Sequence, residues 1–329
     1  MFVNAFVNGA KWEDEVTAID RMAKLTKADV VAFANKYLTD QNYAAIYKKQ
    51  GQDPNEKKMT KPSITPIVMN RDVTSDFLSE IQNSNVKPIE PVFLDFKKDL
   101  SQLKAKSNIP VLYKQNTSND LFQLIYVFDM GNNNDKVLGT AFDYIDYLGT
   151  SDMTPEQLKS EFYRLACTFR VVPGNERTYV LLSGLNENMP EAMKLFEKLM
   201  ADAQVNKEAY TNMVADILKS RKDAKLNQMQ NFRRLMSYGM YGPKSPATNI
   251  LTEAELQNMD PQELIDRIHN QNSYQHRILY YGPTSEKELL AIINKNHQAP
   301  KKLKEIPVGN EFPRLETPVT QIFIAPYEA

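Results

Sequence analysis

The sequence predicts an α+β fold in which a mixed, mostly antiparallel sheet is covered by helices. Short runs rich in β-branched and aromatic residues alternate with longer segments of helical periodicity. Several helical segments begin at a recognisable capping signal, and turn residues separate the apolar runs. The chain has 329 residues, enough for about two domains.

The first part of the chain predicts helices, a strand and a linker. Residues 11–38 have helical periodicity, with a capping box at Thr26 and Asp29, and residues 43–47 (YAAIY) predict a strand. Residues 51–91 are rich in lysine and proline and poor in apolar residues, apart from a possible short helix at 74–82. We therefore expect an interdomain linker there.

The middle of the chain predicts strands and helices in dense succession. Residues 109–115 and 121–130 predict two strands, and the second has the poor alternation of a strand buried on both faces. An apolar helix is expected at 137–148. Thr154, with Pro155 and Gln157, begins the next helix, and residues 173–176 form the turn of a hairpin whose second strand is 178–182.

The last part of the chain predicts a mostly helical region. Helices are expected at 190–202 and from 207 into the 230s. Further elements follow from capping boxes and apolar runs; they are helices starting at Thr252/Glu255, Asp260/Glu263 and Ser285/Glu288, and strands at 277–281 and 319–324.

These elements divide the chain into four segments. Residues 1–50 are the C-terminal piece of a preceding domain, and residues 51–91 are a linker. Residues 92–310 form a complete domain, and residues 311–329 supply the first strand of a following domain. Because an unpaired terminal strand leaves an exposed edge, we expect the chain to be a fragment of a longer protein.

Composition excludes several function classes. The net charge of −1 does not favour nucleic acid or an anionic membrane as a partner. No run of about 18 apolar residues predicts a membrane span. The single cysteine, Cys167, excludes an internal disulfide, and no GxGxxG or P-loop motif predicts a nucleotide site.

Three short segments carry a resemblance to a known family. Residues 128–131 (FDMG) end a strand, residues 137–147 (VLGTAFDYIDY) form a helix, and residues 148–150 (LGT) follow it. Residues 181–189 (LLSGLNENM) form a strand-to-helix step. This arrangement resembles a domain of the insulinase (pitrilysin) type zinc metallopeptidases, whose active domains carry the inverted motif H-x-x-E-H on that helix.

The resemblance implies a degenerate active site. Thr140 takes the first histidine position, Asp143 the glutamate position and Tyr144 the second histidine position. The third family ligand is a glutamate on the next long helix, where Lys219 and Arg221 stand in the corresponding window. Zinc hydrolysis needs about three protein ligands, so we expect no metal, no cofactor and no catalytic residue in this chain.

The resemblance also implies a context. Larger members have four such domains in two halves, and the first domain holds the zinc. This chain would then be a non-catalytic domain of a bacterial zinc endopeptidase that helps to form the substrate chamber. Its partners would be the catalytic half and, through the parent protein, a peptide substrate. Related bacterial proteases suggest the periplasm or cell envelope.

Two alternatives remain open. The chain could be a scaffold subunit related to non-catalytic processing-peptidase subunits, or an unrelated hydrolase that uses Cys167. Cys167 is more typical of a buried thiol, and the three histidines show no ligand spacing and are interpreted as surface or helix-terminal residues. The arginines are interpreted as solvated ion pairs. These are His269, His276 and His297, and Arg164, Arg170, Arg221, Arg233 and Arg234.

Overall fold

The computed structural model describes residues 1–41, 43–48, 51, 60–66 and 73–325, and it divides into two compact units. The first, Met1–Pro88, contains helices only among its described residues. They are α1 (Phe2–Asn8), α2 (Trp12–Val16), α3 (Ala18–Ala23), α4 (Lys27–Tyr37) and α5 (Asp76–Asn83). The predicted helical region is therefore confirmed as several short helices, and the predicted capping box begins α4.

Two predicted strands are not formed. Residues 43–47 are exposed and lie outside the sheet, as do residues 319–324. A β-rich sequence forms a strand only when a neighbouring strand pairs with its backbone, and neither segment has such a neighbour among the described residues. The domain boundaries at 50, 91 and 310 stay predictions, and parts of the predicted linker, 52–59 and 67–72, lie outside the described residues.

The second unit, Ile89–Ala329, contains the sheet and the remaining helices. Its first half comprises β1 (Ser101–Lys104), β2 (Pro110–Gln115), β3 (Leu121–Phe128), α6 (Leu138–Tyr144), α7 (Pro155–Arg164), β4 (Cys167–Pro173) and β5 (Thr178–Leu185). Its second half comprises α8 (Met189–Asp202), α9 (Lys207–Ala224), α10 (Gln228–Tyr241), α11 (Glu253–Asn258), α12 (Gln262–Asn270), β6 (Arg277–Gly282) and α13 (Glu286–Asn296).

The six strands form one mixed sheet in the order β1-β2-β6-β3-β5-β4. Strands β2 and β6 are parallel, and the other neighbouring pairs are antiparallel. The α+β fold with a mostly antiparallel sheet is therefore confirmed. Strand β3 pairs with β5 on one side and β6 on the other, which places the poorly alternating segment in the middle of the sheet. Among the described residues, strand β4 pairs only with β5 and forms one edge.

The core lies between the sheet and its helices. Tyr126 of β3 and Phe196 of α8 are both fully buried, with ring centroids 6.4 Å apart. Helices α6, α7 and α8 contact the β4–β5 end of the sheet, while α12 contacts α6 and α8. This packing holds α6, the helix of the degenerate motif, close to edge strand β4.

Side-chain caps begin several of the helices. The boxes at Thr154/Gln157 and Thr252/Glu255 are formed as predicted. The single helix expected from 207 into the 230s is wrong, because Asn227 caps a new helix by accepting a hydrogen bond from the Gln230 amide. The box expected at Asp260/Glu263 is not formed, since the Asp260 carboxylate accepts from the Gln262 amide instead.

Among the described residues, no helix combines the length and the apolar character that crossing a bilayer requires.

Candidate functional site

The three degenerate motif positions all lie on α6 and have different environments. Thr140 is half-buried, Asp143 is exposed, and Tyr144 is fully buried. Residues three and four apart share a helix face, so Thr140 and Tyr144 keep the spacing of the family's two histidines. The structure does not bring the three residues together as a ligand set, since the Tyr144 side chain points into the core while the Asp143 side chain lines a cleft.

The Tyr144 hydroxyl is fully engaged by the backbone of the next long helix. It donates a hydrogen bond to the Asn206 carbonyl at 2.5 Å and accepts one from the Asn206 amide at 2.9 Å. Asn206 in turn caps α9 by accepting from the Ala209 amide at 3.0 Å. The Tyr144 ring lies edge-on to Tyr210, with centroids 5.8 Å apart. Tyr144 is therefore a packing residue that fixes the start of α9 to α6.

A cleft of about 700 Å³ lies beside the motif helix, between α6, β4, α9 and α10. Six charged side chains line it: Asp143, Asp146, Asp216, Arg170, Arg221 and Arg234. None of these six forms an ion pair within 4 Å in the part of the chain that the structure describes. The interpretation of all the arginines as ion-paired is therefore wrong for these three, because their neighbours in the cleft stand too far away.

The carboxyl of Asp143 is the polar group that the motif helix presents to this cleft. It faces water, but the cleft walls partly desolvate it, and the nearby Asp146 carboxylate repels its charge. Both effects raise the pKa of Asp143, desolvation being the larger. Of the two residues in the third-ligand window, Arg221 lines the cleft and donates to the Leu251 carbonyl at 2.7 Å. Lys219 is exposed and lies outside the cleft lining.

These residues do not fit a zinc ion. Protein zinc sites use thiolate, imidazole and carboxylate ligands, and two of the three motif positions offer only hydroxyls. The hydroxyl of Tyr144 is already hydrogen-bonded twice. Within the described ranges, no group of three or more His, Cys, Asp or Glu side chains is placed to hold a metal ion.

The second cavity beside β4 is apolar. It measures about 640 Å³ and is lined mainly by Leu158, Phe162, Phe169 and Leu199. Phe169 of β4 also lines the charged cleft, so the edge strand runs between the two cavities. Cys167 begins this strand as a buried thiol, which confirms that prediction, and burial raises its pKa above the usual range.

The remaining arginines and the histidines divide between the surface and the core. Arg164 pairs with Glu161 at 2.9 Å and is exposed, as predicted. Arg233 is exposed but forms no ion pair within 4 Å among the described residues, so the ion-pair interpretation is wrong for it too. His269 is exposed near the end of α12, also as predicted. The surface interpretation is wrong for His276, which is buried, while His297 lies at the end of α13 as predicted but with a buried side chain. The Nε2 atoms of the two rings lie 2.9 Å apart inside the domain. The two histidines are 21 positions apart in the sequence, and no local pattern indicates this contact.

The burial of His276 predicts an acid-sensitive fold. Desolvation, together with repulsion from His297, lowers the pKa of His276 from 6.5 to about 4. In the unfolded chain, His276 therefore binds a proton below pH 6.5, whereas in the folded protein it binds this proton only near pH 4. Between pH 8 and pH 5, this residue should remove about 2 kcal/mol from the free energy of unfolding.

Urea unfolding at several pH values measures this effect. The slope of stability against pH between 6.5 and 4 should be smaller in His276→Gln than in the unsubstituted chain. The control His269→Gln should keep the full slope, because His269 is exposed. Equal slopes in all three proteins would contradict the assignment.

Comparison with known proteins identifies the fold. No family model matches the sequence, and no curated protein matches it. Among solved structures, the chain is similar to the periplasmic protease PqqL from Escherichia coli, at 14% identity and a TM-score of 0.57, over 91% of this chain and 31% of that one. It is also similar to a peptidase M16 inactive domain from Pseudomonas fluorescens, at 14% identity and a TM-score of 0.54, over 65% of this chain and 54% of that one.

A third similar structure is a mutant of the ferredoxin protease FusC in complex with Arabidopsis ferredoxin. The identity is 12% and the TM-score is 0.57, over 89% of this chain and 30% of that one. The chain thus spans between 30% and 54% of the lengths of these three proteins. The sheet order, the helices around it and these similarities agree: the chain has the α+β fold of an M16, or insulinase-type, peptidase domain.

Proposed function

We propose that this chain is a non-catalytic domain of a zinc-dependent endopeptidase, in which it forms part of the wall of the substrate chamber and packs against the other domains. The observation that carries this proposal is the state of the motif helix. Tyr144 is buried and bonded to the backbone of Asn206, and Asp143 stands in a cleft lined by charged residues that do not form a ligand set. A carboxylate without metal-bound water to activate does not hydrolyse peptides by this route.

The edge strand β4 provides a surface for peptide contact. Its outer backbone groups are not used by the sheet in the described part of the chain, because β4 pairs there only with β5. An extended peptide can add a strand to such an edge, with its side chains entering pockets on either face. Arg170 lies in the charged cleft and Thr168 beside the apolar cavity, so both cavities are reached from this strand.

The cellular context of the proposal follows from the similar proteins. PqqL is a periplasmic protease, and the ferredoxin protease FusC was solved in complex with Arabidopsis ferredoxin. We extend only the compartment to this chain, as the periplasm or cell envelope. The zinc and the catalytic residues would come from another domain of the parent protein, which supplies the metal-bound water that this chain does not hold.

Binding without cleavage is the outcome that we expect for a fluorescent, unstructured acidic peptide mixed with this chain. Fluorescence anisotropy measures binding, and mass spectrometry of the same sample measures cleavage, with and without added zinc. The peptide should bind and stay intact. Arg170→Ala should weaken binding by about ten- to a hundredfold, since a hydrogen bond to a charged group contributes about 1.5–3 kcal/mol.

Arg164→Ala is the matched control, because Arg164 is paired with Glu161 and does not line the charged cleft. Zinc-dependent cleavage that a chelator abolishes would contradict the proposal. If the peptide neither binds nor is cleaved, the result would favour the scaffold alternative over a chamber wall that touches substrate.

A further inference from the structure

A buried chain of hydrogen bonds joins Glu197, His297 and His276. His297 Nδ1 lies 2.6 Å from Glu197 Oε1, and His297 Nε2 lies 2.9 Å from His276 Nε2. His276 Nδ1 lies 2.7 Å from the Tyr274 carbonyl oxygen. The side chains of Glu197 and His297 are 0% and 3% exposed, so both are shielded from bulk water.

The two outer contacts decide which ring nitrogens carry protons. A carbonyl oxygen only accepts, so His276 Nδ1 must donate to Tyr274. The Glu197 carboxylate accepts four hydrogen bonds, from Tyr126, Asn272, the Gln298 amide and His297. His297 Nδ1 is therefore also a donor. With both Nδ1 atoms protonated, two neutral rings would point the lone pairs of their Nε2 atoms at each other.

We propose that this cluster is a buried proton-binding site, in which one additional proton lies between the Nε2 atoms of His276 and His297. Two rings then carry three N–H protons, and the positive charge is balanced by the Glu197 carboxylate. His297 is the cationic ring, because it contacts Glu197 directly, and His276 is the neutral acceptor. The lowered pKa of His276, which has repulsion from His297 among its causes, agrees with this distribution of charge.

The distance favours a proton over a metal ion. An N–H···N hydrogen bond has the observed separation of 2.9 Å. Two zinc–nitrogen bonds at a tetrahedral angle would hold the nitrogens about 3.3 Å apart. No third His, Cys, Asp or Glu joins the pair to complete a ligand set among the described residues.

Few other titratable groups face the cluster. Tyr126 of β3 donates to Glu197 Oε1, and burial beside this carboxylate raises the pKa of Tyr126 well above its usual value. The cavity that His297 borders is also lined by Lys106, Lys295 and Lys301. Lys106 already donates to the Asn294 carbonyl. The positive charges of these lysines oppose an additional proton on the histidine pair. The negative charge of Glu197 is therefore the interaction that holds this proton in place.

The position of the cluster gives the proton a mechanical role. His297 and Gln298 follow α13 directly, Glu197 belongs to α8, and His276 immediately precedes β6. Loss of the proton would leave the buried Glu197 charge without its counter-charge and set two lone pairs against each other. The end of α13 would then detach from α8. The cluster thus holds these two helices together at neutral pH and releases them when the pH rises.

Imidazole ¹⁵N NMR of the intact chain tests this proposal, because the protein has only three histidines. At pH 8 the spectrum should show one ring with both nitrogens protonated (His297) and one protonated at Nδ1 only (His276). The exposed His269 serves as the internal control. Raising the pH further should convert the cationic ring to neutral and, in the same range, lower the exchange protection of the Gln298 amide. Three neutral rings at pH 8 would overturn the proposal.

Glu197→Gln provides the matched variant, since it keeps the shape and removes the charge. Its His297 should be neutral at pH 8, and a cationic ring in this variant would contradict the role of Glu197. If the variant does not fold, the titration of the unsubstituted chain still decides. Addition of one equivalent of zinc should leave both buried rings unchanged. A shift of His276 and His297 together, with His269 unaffected, would instead identify a metal site and overturn the proposal.

Discussion

Tyr144→Ala is expected to lower the free energy of unfolding by about 3–5 kcal/mol, the cost typical of removing a buried aromatic side chain. Tyr144 is fully buried, and its ring packs edge-on against Tyr210. The substitution also removes both hydrogen bonds to the backbone of Asn206, the residue that caps α9. Urea unfolding followed by circular dichroism measures the loss.

Two further substitutions separate the ring from the hydroxyl. Tyr144→Phe keeps the packing and should cost about 1–3 kcal/mol, because the Asn206 amide loses its acceptor in a buried place. Tyr147→Ala, at an exposed residue of the same cleft, should change stability by less than about 0.5 kcal/mol. A Tyr144→Ala protein as stable as the Tyr147→Ala protein would show that the motif helix does not depend on this contact.

Glu197→Ala is the second substitution with a large expected effect, again about 3–5 kcal/mol. It removes the acceptor for Tyr126, Asn272, the Gln298 amide and His297 at once. Breaking a buried charged pair is costly because the remaining partners stay desolvated and unpaired. Thermal or urea unfolding at pH 7 measures the loss.

Lys198→Ala is the control on the same helix. Lys198 pairs with Asp152 on the surface, and exposed pairs contribute about 0–1 kcal/mol. If Glu197→Ala cost no more than Lys198→Ala, the buried network would have no part in holding α8 to the end of α13.

Local signals predicted much of the fold. The capping boxes at Thr26, Thr154 and Thr252 begin helices where the sequence places them. Strands β2, β3, β5 and β6 overlap the predicted segments, because apolar runs between turn residues are typical of buried strands. Strand β1 was not predicted, since its four residues acquire their conformation by pairing with β2 and carry no apolar pattern of their own.

The same reasoning fails where pairing partners decide the structure. Residues 43–47 and 319–324 have strand-like composition but remain irregular, because no described strand pairs with them. The break between α9 and α10 depends on Asn227 acting as a cap inside an otherwise helical pattern. β-propensity and periodicity describe what a segment favours, while the neighbours that it meets in the fold decide the outcome.

The site was predictable in position but not in detail. The resemblance places Thr140, Asp143 and Tyr144 on one helix, and all three lie on α6. The cleft beside this helix follows only from the structure. The engagement of Tyr144 by Asn206, 62 residues away, follows only from the folded chain. The same holds for Glu197, which lies 100 residues from His297 and forms a buried pair with it. Contacts between residues so far apart in the sequence produce no hydrophobic periodicity that a single sequence would reveal.

The zinc content of the purified chain tests the central claim most directly. Elemental analysis after dialysis against a weak chelator gives the number of zinc ions per chain. Because Thr140 and Tyr144 provide no strong ligand and the Tyr144 hydroxyl is bonded to Asn206, the account predicts well under one zinc per chain. One tightly retained zinc per chain would contradict the account and would mean that the fold holds a metal site that the motif positions do not reveal.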